Sequence, residues 1–96
     1  MGNTTAGTAN SNVFIGLQSG YRIHGNARNN VFIGAFSGQI NASTSSSASG
    51  PQDCTVVGDT ARISGAITNA TSIGANAYNS TSNRIQLGDS NVGSLY

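Results

Sequence analysis

The pentapeptide Asn-Val-Phe-Ile-Gly is written twice, at residues 12–16 and 30–34, eighteen residues apart. Both copies continue alike, as Leu17-Gln18-Ser19-Gly20 and Ala35-Phe36-Ser37-Gly38. Weaker echoes follow at Thr55-Val56-Val57-Gly58, Thr71-Ser72-Ile73-Gly74 and Ile85-Gln86-Leu87-Gly88. The repeat glycines at 16, 34, 58, 74 and 88 are separated by 18, 24, 16 and 14 residues. Such an interval is too short for two helices. It fits one strand-turn-strand coil of a β-solenoid, whose thin core closes only when neighbouring coils stack.

Composition agrees with that reading. Gly, Ser, Asn and Thr make up 48 of the 96 residues, and Leu, Ile, Val and Phe only 19. Such polarity goes with disorder when net charge is high, yet four Arg against three Asp leave a formal charge of +1. Lys, Glu and Trp are absent and Leu is scarce, which removes most good helix formers and leaves β-branched and turn residues. The expected class is all-β, a parallel β-solenoid or β-roll with coils of 14–24 residues. Four scattered arginines make no footprint for nucleic acid or an anionic membrane. No apolar run reaches membrane-spanning length, and Met1-Gly2-Asn3 does not open a secretory signal. Release by lysis or assembly, or removal of a signal, is therefore expected for an extracellular product. One cysteine, Cys54, cannot make an internal disulfide and reads as a small hydrophobe in a strand.

Four segments follow in chain order. Residues 1–10 are a polar lead-in or partial first coil, 11–40 hold the two NVFIG coils, 41–52 form a serine-rich inserted loop ending at Pro51, and 53–96 hold three further coils. The last coil carries no obvious cap. Because strand side chains alternate, Val13, Ile15, Val31, Ile33, Val57, Ile73, Ile85 and Leu87 are assigned to the core. Phe14, Phe32 and Phe36 then stand outside as a stripe that association must cover, which makes them the expected oligomer interface.

These residues resemble two repeat families. The alternation around Ile73-Gly74-Ala75 and Ile85-Gln86-Leu87-Gly88 is similar to the left-handed parallel β-roll of YadA-like heads in trimeric adhesins. NVFIGLQSG and NVFIGAFSG resemble phage tail-fibre and surface-protein repeats found upstream of endosialidase-type intramolecular chaperones. Residues 83–95 are similar to the coil just before such a chaperone. The resemblance implies a homotrimer of rolls around a common axis, joined to the rest of a parent fibre on a virion or bacterial surface. The intervals of 18 and 24 residues depart from the adhesin pattern, and the chaperone itself is not in the chain.

Chemistry is sparse. His24 could meet its symmetry mates at a metal, but no neighbouring ligand supports this and it reads as a surface or interface histidine. Asp59 and Asp89 follow repeat glycines and read as turn residues more readily than as calcium ligands. No nucleophile elbow, paired acids or phosphate loop is present, so neither enzymatic activity nor a cofactor is expected. Asn3, Asn41, Asn69 and Asn79 begin glycosylation sequons. Tyr21, Arg22, Tyr78 and Tyr96 are the candidate ligand contacts, since sugars stack on aromatic rings; packing is the competing role. Two functions remain open: a structural and adhesive segment of a trimeric extracellular fibre that supports host or surface attachment, or a carbohydrate-binding module using exposed aromatics. The partners expected are further copies of the chain, the parent fibre and a cell-surface glycan.

Overall fold

The structure, a computed structural model, describes residues 4–5, 11–24, 26–40 and 50–92. The strands are β1 (Thr4–Thr5), β2 (Val13–Ile15), β3 (Ile23–His24), β4 (Val31–Ile33), β5 (Gln39–Ile40), β6 (Thr55–Val57), β7 (Arg62–Ile63), β8 (Ala70–Ile73), β9 (Tyr78–Asn79) and β10 (Arg84–Leu87). Every pairing between them is parallel. The main sheet runs β10-β8-β6-β4-β2, a second runs β5-β7-β9, and β1 pairs with β3. Lone parallel bridges join Arg28 to Gln52 and Gln52 to Thr68 at the return corner. Each coil thus passes once through the main sheet, turns at a glycine, and comes back through the second sheet and that corner. This is the parallel β-solenoid expected, with no helix among the described residues.

The main-sheet register is regular despite the unequal intervals. Val13, Val31, Thr55, Thr71 and Ile85 form one column, and Ile15, Ile33, Val57, Ile73 and Leu87 another. Between them run Phe14, Phe32, Val56, Ser72 and Gln86. The chain absorbs its extra residues elsewhere. Residues 41–49 lie outside the described set. Gly50 and Pro51 are already buried, and Gln52 belongs to the return corner. The coil therefore begins again before the end of the predicted 41–52 loop.

The assignment of inner and outer faces is reversed from the sequence expectation. Phe32, Val56 and Ser72 are fully buried, and the half-buried Phe14 packs against the core with its ring stacked on Phe32, centroids 5.1 Å apart. Val13, Ile15, Ile33, Ile73, Ile85 and Leu87 are exposed, and Val31 and Val57 half-buried. Phe32 can therefore touch no partner, and Phe36 is only half-buried at a turn. In the first two coils the reason lies four residues past the repeat glycine. A Cβ on Gly20 would strike the Phe14 ring, and one on Gly38 the Phe32 ring. These glycines leave the volume that the rings fill. The rest of the core is Ile23, Ala27, Cys54, Ala61, Ile63, Ile67, Ala70 and Ala77.

Polar ladders tie the coils together. Gly34 has φ 127°, and a Cβ there would lie 2.6 Å from the Gly58 carbonyl oxygen, so the corner accepts no side chain. The buried Asn30 amide donates to Asn12 Oδ1 at 2.9 Å and to the Pro51 carbonyl at 2.8 Å, while its Oδ1 accepts from the Cys54 amide at 3.0 Å. The Ser19 and Ser37 hydroxyls donate to the Phe32 and Val56 carbonyls. Toward the last rung the interior turns polar. Buried Asn79 donates to the Thr71 and Arg84 carbonyls and accepts from the Thr81 amide. Gln86 accepts from Arg84 Nη2 and donates to the Gly88 carbonyl. The last described rung thus satisfies its inward polar groups locally.

Candidate functional site

Two faces of the solenoid carry exposed side chains, and their chemistry differs. The outer face of the main sheet is aliphatic. Its two columns carry ten Val, Ile, Leu or Thr side chains and no charge. Ile15 is 55% exposed and Ile85 68%, and Leu17 continues the patch around the corner at 67%. Five rungs at about 4.8 Å spacing make this stripe roughly 20 Å tall. β-Branched residues at i and i+2 explain it locally: they favour an extended backbone and must both point the same way.

The second sheet is polar outside. Register places Gln39, Arg62 and Tyr78 side by side, with Ile40, Ile63 and Asn79 in the adjoining column. Ile63 and Asn79 are fully buried, so Arg62 and Tyr78 face outward. The Arg62 guanidinium sits over the Tyr78 ring, 5.4 Å from its centroid. Its Nε is covered and has no hydrogen-bond partner. In the first coil Arg22 likewise precedes a buried isoleucine, Ile23, and lies 5.7 Å from the centroid of Tyr21. Tyr21 and Tyr78 are both exposed.

Three of the four suspected contact residues therefore form or adjoin arginine–tyrosine pairs, whereas Tyr96 lies outside the described residues. The sequence reading passed over Arg62 and Gln39. The Arg-Ile pair at 22–23 and 62–63 recurs at 84–85, in the main sheet, so the dipeptide alone did not mark the site. It also passed over the aliphatic columns as a contact surface, having placed them inside.

The remaining candidates have local roles. Asp89 accepts from the Asn91 backbone and side-chain amides, an Asx-type turn, and Asp53 accepts from Asn29 Nδ2. Among the described residues no three His, Cys, Asp or Glu side chains gather to hold a metal; the His24 side chain is outside that set. Burial pushes the Cys54 thiol above its ordinary pKa, and its Sγ–H donates to the Gln52 carbonyl at 3.2 Å. Of the sequons, Asn79 is buried and Asn69 is exposed, while Asn3 and Asn41 lie outside the described residues. No family model, curated protein or solved structure matches the chain.

Proposed function

We propose that this chain is a structural and adhesive segment of an extracellular fibre on a virion or bacterial surface. In that fibre three copies pack their main sheets around a common axis as left-handed rolls. The observation that carries the reading is the uncharged aliphatic face exposed by a single chain. A patch this continuous is costly in water, and burying each such side chain is worth up to about 1.5–3 kcal/mol. A second copy fits it best, because identical rungs repeat at the same spacing and two or three flat sheets interdigitate without unpaired charge. The narrow stripe, two columns wide, suits a shared axis, while loops and the second sheet stay outside for attachment. The NVFIG repeats, similar to those of fibre proteins, support the fibre setting. Sedimentation equilibrium at micromolar concentration tests the assembly. The expected mass is that of three chains, falling to one chain in an Ile15→Lys/Ile33→Lys variant. A wild-type mass of one chain at tens of micromolar overturns the proposal.

A further inference from the structure

We infer that the outer face of the second sheet is a binding site for an acidic polysaccharide, with Arg62, Tyr78 and Gln39 as its centre. The argument begins with charge. Arg62 lies in that sheet and Arg22 immediately precedes its first-coil counterpart, β3. The three carboxylates are elsewhere: Asp59 and Asp89 follow the corner glycines of the main sheet, and Asp53 hydrogen-bonds Asn29 beside the return corner. A face with cations and no acids is complementary to an anion.

The arrangement specifies more than charge. Gln39, Arg62 and Tyr78 occupy successive rungs, about 4.8 Å apart, so an extended ligand running along the solenoid axis meets an amide, a guanidinium and an aromatic ring in turn. A carboxylate accepts from the planar guanidinium fork, hydroxyls bond the Gln39 amide, and the apolar face of a sugar ring stacks on Tyr78. The resting Arg62 leaves its Nε–H without an acceptor. Turning toward a carboxylate gains that hydrogen bond and also uncovers the tyrosine ring for stacking, so one movement prepares both contacts. Tyr21 and Arg22 repeat the pairing in the first coil. The site is built within one chain and does not depend on the trimer.

The test is calorimetric titration of the whole chain with oligogalacturonate, alginate oligomers and polysialic acid. Methyl-esterified oligogalacturonate and polyglutamate serve as comparators. Saturable binding to at least one acidic glycan is expected, weakening as salt rises. Arg62→Gln and Tyr78→Ala should each weaken it about tenfold, and Arg62→Lys should retain part of the affinity. Each variant is first checked for unchanged circular dichroism, and Gln39→Ala supplies a milder substitution with the same expected direction. The Ile15→Lys/Ile33→Lys chain should still bind, which separates this site from the assembly. Equal affinity for the methyl ester, equal affinity for polyglutamate, or no binding to any of the three acidic glycans overturns the proposal.

Discussion

Gly38 and Phe32 show how single residues settle which way the strands face. The glycine has φ 70°, and the aromatic ring occupies the space its side chain would take. The first and second coils share this pairing, as Phe14 with Gly20 and Phe32 with Gly38. In the third and fourth coils, Val56 and Ser72 occupy the ring position, and Arg62 and Tyr78 stand four residues past the glycine. Gly38→Ala should therefore destabilise the chain by about 3 kcal/mol, from overpacking and backbone strain together. Phe32→Val should cost about 2 kcal/mol by itself. The double variant should lose at least about 1 kcal/mol less than the sum, because the smaller core residue vacates the clash; urea unfolding of the three variants checks this. A second residue-scale expectation concerns Cys54, whose buried thiol titrates above the ordinary range. Below about pH 8.5 both folded and unfolded chains carry the proton. Above it the unfolded chain ionises first and stability falls. Unfolding midpoints should drop across pH 8.5–10 in the native chain and drop less in Cys54→Ala.

At the scale of strands, the interior column following Ile63 makes an unusual demand. Asn79 sits where hydrophobicity alone would favour isoleucine, yet its side chain serves two carbonyls and one amide of the last turn. Asn79→Ile should destabilise by about 2 kcal/mol in spite of its greater apolar bulk, because three backbone groups of the last turn lose their partner; thermal unfolding beside an Ile63→Val control measures it. The rungs themselves were legible from the glycine intervals: the main-sheet register aligns the residues preceding Gly16, Gly34, Gly58, Gly74 and Gly88. Which face turns inward was not legible from alternation, which sorts side chains into two sets without saying which is enclosed. Volume decides that, and the deciding residues, Gly20 and Gly38, belong to the turns. Tyr21, Arg22 and Tyr78 were legible as exposed chemistry, whereas Arg62 and Gln39 joined Tyr78 in one column only through the register of the second sheet.

The whole molecule measures 40 × 25 × 23 Å and presents unlike surfaces, one aliphatic and one polar with arginine and tyrosine. If self-association covers the first, apparent stability depends on protein concentration. The midpoint of thermal unfolding should rise by several degrees between 1 and 100 micromolar chain, and Ile33→Lys should abolish that rise without loss of strand signal at low temperature. The differing coil lengths carry one more consequence. Main-sheet spacing is indifferent to how many residues separate one rung from the next, since intervals from 14 to 24 all deliver the same alignment. A foreign peptide inserted between Ile40 and Gly50 should therefore leave the main-sheet alignment unchanged, since lengthening an interval does not shift one rung against the next.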